Sequence, residues 1–554
     1  MARKSSAGIS KQWKSRMKGN TGVHSISLAT LLIMTISGFV SFSAIGMQGE
    51  GHFMMTFLFM VLLGCLFPIP LFHVVETFVR ETVEIQQYKN ASRILYASVT
   101  LAIFYLIVVG ILLFSCSSFV LGNVMCGKSG FAALLFLYFA LALFLLSGIY
   151  KSYLRGHGMG YLASFVSLFQ SLVLLITLFI ATNLTMKSGA KVAAVLSNPE
   201  FQYAYGALGV AISIFVCSIA GFVGIHFVMK RVKRRLYKKI RSDASRRTMD
   251  IADLFRIICL KSLPAILSML LTFAGVFIYS IFWKKKMADG LMGVLSTYNI
   301  GALLGGLFTV LLLPLGFIYL TVWDKKDTIH HVHEYDYKNE LRYILRDQYK
   351  LTYIVTFFTV AILEVLAPFI VQGFLGLNSA LLVTILRFGA PLVIVFGVAV
   401  VQFCVLQSLD KYQPLMITGG ITLAFSLLLM FLFLSIAGMG WSGFLISSYI
   451  SGLFYIGCNY FYIKARIARV GKRKSVALLP CILSLFVAGT AILLRLLLSL
   501  FLPDWLVVVL VFVITGIAYF IALIKTDCLN HYAISEMAFG DIFYQLGKLL
   551  RILP

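Results

Sequence analysis

An all-α polytopic membrane protein is predicted, with about fourteen transmembrane helices forming two parallel six-helix bundles plus a C-terminal helix pair. Three observations predict it. Apolar runs, each about as long as a bilayer is thick, fill most of the 554 residues. Lys and Arg gather in every second gap between those runs. The order of features in the first six runs recurs, in the same orientation, in the next six. With 60% hydrophobic and only 12% charged residues, the composition is that of a chain whose solvent is lipid.

The N-terminal segment 1–23 carries Arg3, Lys4, Lys11, Lys14, Arg16 and Lys18 and no acidic residue. The apolar run that follows, 24–46, is too long for a signal h-region and lacks a small-x-small cleavage site, so it is expected to be a retained first span. Further runs occupy 52–79, 93–120, 129–150, 159–184 and 203–229, completing a first bundle over 24–229. A basic cytoplasmic linker, 230–253, leads into a second bundle over 254–465, with runs at 254–282, 292–322, 350–374, 378–408, 413–437 and 441–465. Two more runs lie within 475–526. In the tail, 530–554, Ile534, Phe539, Ile542, Phe543, Leu546, Leu549 and Leu550 recur at helical intervals, which predicts an amphipathic helix on the inner membrane surface. The runs must be helices, because barrel strands are about 10 residues long and alternate in polarity.

The repeat pairs the segments from Tyr153 and Tyr205 with those from Val405 and Gly438, each ending in a basic run. Six spans per repeat is an even number, so the halves are parallel, related by an axis along the membrane normal, as in many transporters.

The net charge of +26 raises nucleic acid as a partner, but the distribution excludes it. Most basic residues fall in the N-tail, the even-numbered gaps and the C-tail, which places both termini in the cytoplasm of a multi-pass cytoplasmic-membrane protein. The densest cluster, 230–247, is expected to meet anionic phospholipid headgroups, since no aromatic residues interleave there as a base-stacking platform requires. Lys284, Lys285 and Lys286 are the exception, in a gap assigned to the outside. The nine cysteines show no metal spacing; Cys116 and Cys126 lie near one outer helix end, where a disulfide is conceivable. No cofactor is expected. Nor is an enzyme: 21 acidic residues, almost none in spans, leave few catalytic groups, and no G-x-x-x-x-G-K-[ST] loop occurs.

Ionisable residues inside spans cost about 2.5–3.5 kcal/mol each on insertion scales and so mark candidate sites. Glu364 and Arg387 lie at matching depths in spans nine and ten, as a structural ion pair or as cavity groups. Lys261 enters span seven just before Pro264, where a bend can line a cavity. His73 and Glu76 stand three apart on one helix face, after the double break of Pro68 and Pro70. Pro314, Pro368 and Pro391 supply further kinks. The run from His330 to Asp336 invites a metal reading but lies in a charge-mixed loop without thiolates.

Several segments carry a resemblance to a known superfamily. They are YLRGHGMG before span five, KSLPAILSMLLTFAGVFIYS in span seven, TYNIGALLGGLFTVLLLPLG in span eight, LAPFIVQGFLG ending span nine, and LQSLDKYQP before span eleven. With the glycine-led span six, they resemble the multidrug/oligosaccharidyl-lipid/polysaccharide exporters, in particular the polysaccharide transporters and stage V sporulation protein B-like members. The resemblance implies two bundles around a V-shaped cavity lined by spans one, two, seven and eight. That adds Tyr298 and Asn299 to His73 and Glu76. Lys151, Arg155 and His157, in the arm before span five, are candidate phosphate contacts at the inner rim, and positive-inside charge accounts for the first two equally well. The resemblance implies a flippase for a polyprenyl-pyrophosphate-linked oligosaccharide, working by alternating access with possible H⁺ or Na⁺ coupling. Two alternatives share the fold. A multidrug and toxin extruder wants buried carboxylates in the first bundle, where only Glu76 is evident; a lipid II flippase carries basic residues in spans one and two that are absent here.

Overall fold

A computed structural model describes residues 2–121, 130–243, 248–288, 295–436, 439–468, 473–526, 528, 529, 534 and 540–549; side chains within 2–22 and 282–304 lie outside the described set. Everything regular among these residues is helix. The first element, α1 (Ala2–Leu66), is one helix by its hydrogen bonds but breaks at Gly46, whose φ of 69° is in the left-handed region open to glycine. The break is a fold-back. His24 before it bonds to Asp324, and Glu76 beyond it bonds to Lys326, so the chain leaves one end of the molecule and returns to it. Proline at 68 and 70 opens α2 (Pro68–Glu84), which finishes the second crossing.

There follow α3 (Tyr88–Ser115), a single turn α4 (Ser117–Phe119), α5 (Phe131–Gly156), α6 (Gly160–Leu196) and α7 (Glu200–Arg241). The second half comprises α8 (Ile251–Ala288), α9 (Leu295–Asp324), α10 (Lys326–Glu334), α11 (Lys338–Gly373), α12 (Ala380–Gly389), α13 (Leu392–Ser408), α14 (Tyr412–Met430) and α15 (Gly440–Arg466). Three helices close the chain: α16 (Arg473–Leu498), α17 (Asp504–Lys525) and α18 (Gly540–Leu549). Among the described residues, eleven helices are long and apolar enough to cross a membrane, or twelve if α12 and α13, bent by 45° beside Pro391, count as one. The fold-back at Gly46 adds a crossing. So does α15, tied along its length by Tyr449 to Phe388, Gln402 to Ile456 and Thr418 to Asn459. The chain is thus a multi-pass membrane protein of about fourteen crossings.

Lipid gives apolar helices no reason to shun their solvent, so association rests on close packing and on small residues that permit it. In the first group α7 lies against α5 and α6. A Cβ on Gly209 would come within 2.9 Å of the Thr182 Cα and 3.1 Å of the Ala181 carbonyl. In the second group α8 and α14 pair, and α9, α11 and α15 surround α13. The final pair, α16 and α17, covers α11, burying Val487, Ala491, Val507 and Val511 with Leu363 and Leu366. Exposed Phe104, Ile107, Ile111, Phe179, Leu485 and Phe486 form the lipid-facing exterior.

Three local outcomes differ from the sequence expectation. The basic run after span six is not a loop: α7 stays helical to Arg241, because Lys and Arg are good helix formers and suit a helix C-terminus. The charge-mixed segment after span eight contains α10, whose Ile329 and Val332 are buried. The tail helix α18 packs on protein, with Phe543 against Leu31, Phe317 and Leu351 and 5.6 Å from the Phe520 ring. Cys116 is a free thiol, and Cys126 lies outside the described residues.

Candidate functional site

The two halves meet along α1 and α9. Leu31 faces Gly316, Gly38 faces Thr309, Phe42 faces Gly306 and Glu50 faces Gly305, so the helices run antiparallel at close approach. Both ends of this seam are shut. At the far end, Met54 and Leu58 of the first half join Met430, Phe308, Trp441 and Phe444 of the second in an apolar cluster. At the end bearing the basic extension of α7, called the basic face, the closure is ionic.

That ionic latch is built by α2 on one side and the α9–α10 junction on the other. His73, Glu76 and Arg80 lie three and four residues apart on one face of α2. Opposite them α9 ends at Asp324, and the turn through Lys325 points Lys326 back toward α2. The Lys326 Nζ donates to Glu76 Oε1 at 2.5 Å, with both side chains at most 10% exposed. The same ammonium lies 3.8 Å from the Trp323 ring centroid, and Trp323 stacks on Tyr319 and meets the His73 ring edge-on at 5.4 Å. Burial pushes the Lys326 pKa down, and the Glu76 carboxylate counters that. Arg80 pairs with Asp327, and His24 with Asp324 at 2.7 Å. Lys261 reaches Glu81 at 3.0 Å across the Phe78 ring. That last pair is half exposed and worth roughly 0–1 kcal/mol. The Glu76–Lys326 pair differs in kind: removing one partner of a buried pair costs about 3–5 kcal/mol. Asp410, in the turn before α14, lies near His330, Glu81 and Lys261, its carboxyl held above the usual range by burial.

Of the residues singled out by sequence, His73, Glu76, Arg155 and Lys261 come together here. Gly156 makes this possible for Arg155, since a Cβ there would lie 2.9 Å from the Glu76 carbonyl; α5 therefore ends against α2, and exposed Arg155 acts on Glu76 electrostatically. Glu364 and Arg387 sit elsewhere, in the second group. They feel each other's charge but form no ion pair, and Glu364 is exposed. The side chains of Tyr298 and Asn299 lie outside the described residues. His330, His331 and His333 are on α10, where His331 faces Glu334 at 3.7 Å; among the described residues no group of three or more His, Cys, Asp or Glu is placed to hold a metal.

Sequence reasoning missed Lys326, Arg80, Trp323 and Glu50. Lys326 follows an apolar run directly and so passes for ordinary positive-inside charge. Glu50 falls in what hydropathy treats as a gap, yet it is buried in α1, which corrects the expectation that Glu76 is the first bundle's only buried carboxylate.

The arm between α5 and α6 holds a half-buried histidine. His157 stacks on Tyr88 at 6.4 Å and meets Tyr153 edge-on at 4.5 Å, with neither ring nitrogen hydrogen-bonded. Burial, with Lys239 nearby, lowers its pKa from 6.5 to about 4. Between those values the unfolded chain binds more protons than the folded one, so stability falls as pH drops from about 6.5 to about 4. Replacing His157 by Phe, which suits the tyrosine pair, is expected to flatten that dependence of the thermal midpoint. Parallel curves for both proteins would show that His157 does not set it.

Fold and latch together define a multi-pass helical membrane protein closed at its basic face. In particular, the fold is that of the multidrug/oligosaccharidyl-lipid/polysaccharide exporter superfamily. An inward-facing multidrug resistance MATE transporter superposes with a TM-score of 0.61 at 14% identity, covering 78% of this chain and 95% of its own. The Vibrio cholerae MATE transporter VcmN, in its bent form, gives 0.56 at 17%, covering 82% and 98%. The lipid II flippase MurJ, inward closed, gives 0.57 at 15%, covering 90% and 99%. No protein-family model and no curated protein sequence matches the chain.

Proposed function

We propose that this protein is a flippase that carries a polyprenyl-pyrophosphate-linked oligosaccharide across the cytoplasmic membrane by alternating access, with the basic face inside. The observation that carries this reading is the extent of the likeness. The lipid II flippase covers 90% of the chain, against 78% and 82% for the two multidrug transporters. A sugar headgroup cannot cross hydrocarbon unaided, because each unsatisfied hydroxyl costs several kcal/mol. The latch suits such cargo. When Glu76 swings away from Lys326, a pyrophosphate offers that ammonium, Arg80 and Arg155 a replacement anion, and arginine binds phosphate oxygens in pairs. Anionic phospholipids would hold the exposed basic end of α7.

Depletion in the source organism tests the reading. Lipid-linked glycan should accumulate facing the cytoplasm; export at the normal rate, in a strain with no paralogue, would rule it out. A second reading, extrusion of cationic drugs, draws on Glu50, a buried carboxylate in the first group. Efflux of a cationic dye from proteoliposomes, unaffected by lipid-linked sugar, would favour it.

A further inference from the structure

Beyond α17 the chain is pinned to the second half before it reaches the first. The Leu529 amide donates to the Leu523 carbonyl at 3.0 Å, and Cys528, Leu529 and Ile534 are buried in one cluster with Phe520 and Leu523 of α17. The helix α18 then lies over the seam between the halves. Its buried and half-buried residues Gly540, Phe543, Tyr544 and Gly547 fall at i, i+3, i+4 and i+7, one stripe of a helix, while Gln545 and Lys548 beside them are exposed. Phe543 is the anchor. It packs with Leu31 of α1, Phe317 of α9, and Leu351 and Val355 of α11, and its ring centroid is 5.6 Å from that of Phe520. Leu31 and Phe317 lie about two turns inward of the His24–Asp324 bond, so the ring bridges the seam at the same rim as the latch. When the first half tilts away there, Leu31 parts from Phe317, and Phe543 can stay with only one of them.

This contact is easily left. A phenylalanine that moves from a protein groove to lipid stays in apolar surroundings, so the hydrophobic effect does not hold it and only close packing is lost. In the sequence, Ile542, Phe543, Leu546, Leu549 and Leu550 recur at helical intervals, a stripe that suits a lipid surface. We propose that α18 is a strap on the basic face: docked across α1 and α9 it holds that face closed, and opening requires it to move onto the membrane surface. The coupling is reciprocal, so whatever undocks α18 loosens the latch, and whatever breaks the latch loosens α18. It holds whatever the protein carries.

The test uses purified full-length protein in lipid nanodiscs without cargo, so its failure and failure of the flippase reading are separable. In Phe543→Ser, amide hydrogen exchange around residues 25–31 and 72–80 should rise at least tenfold over wild type. Phe543→Leu, which keeps an apolar contact, should raise it less, and Lys548→Ala, on the exposed side of α18, should leave it unchanged. In Lys326→Ala, exchange in residues 541–549 should rise at least tenfold, although no residue of α18 is altered. Unchanged exchange at 72–80 in Phe543→Ser, or at 541–549 in Lys326→Ala, would overturn the proposal. So would a rise in Phe543→Ser that is equally large at residues 176–184 of α6, which marks general destabilisation, or a rise in Lys548→Ala that matches Phe543→Ser.

Discussion

Lys326→Ala is expected to unlatch the basic face. Glu76 would be left charged and buried without its partner, at about 3–5 kcal/mol against the closed state, a shift of roughly two to four orders of magnitude in its population. Amide exchange in α2 around 72–80 should rise sharply, and on the flippase reading transport should fall because the basic face no longer seals. The double variant Glu76→Gln with Lys326→Met removes both charges and should regain much of the closed population, since an apolar replacement of a buried pair is often neutral. Additive effects of the two single changes would show that the pair is not the latch.

The second large effect concerns assembly. Gly209→Leu must push α6 from α7, because the obstacles are the Thr182 Cα and the Ala181 carbonyl, which are backbone and cannot turn aside. Overpacking of this kind costs about 1–3 kcal/mol and more where backbone is the obstacle. Thermal midpoint and yield of folded protein should drop markedly. Gly457→Leu is the control, since a Cβ at Gly457 meets nothing within 4 Å. Equal behaviour of the two variants would show that the α6–α7 contact does not limit stability.

The crossings were legible in the sequence because a bilayer imposes a length and a polarity on each of them, and the break at Pro68 and Pro70 was legible because proline lacks a donor. The latch was half legible. His73 and Glu76 stand out on a helix face, but the partner of Glu76 is 250 residues away in sequence, in a turn whose charge has a commonplace explanation. Glu50 was hidden for another reason. Hydropathy detects where apolar residues stop, and α1 remains helical and buried through a polar stretch where only Gly46 departs from helix. The docking of α18 was equally invisible, since an apolar stripe suits a lipid surface and a protein groove alike.

The small residues along α1 and α9 bear on motion. Gly38, Gly305, Gly306 and Gly316 are notches that receive Thr309, Glu50, Phe42 and Leu31 from the facing helix. Such a contact works like a keyed joint: for one half to tilt on the other, those few side chains must lift from their notches together. On the flippase reading, a larger residue in any notch should slow turnover far more than an equal change in volume along the lipid-facing exterior.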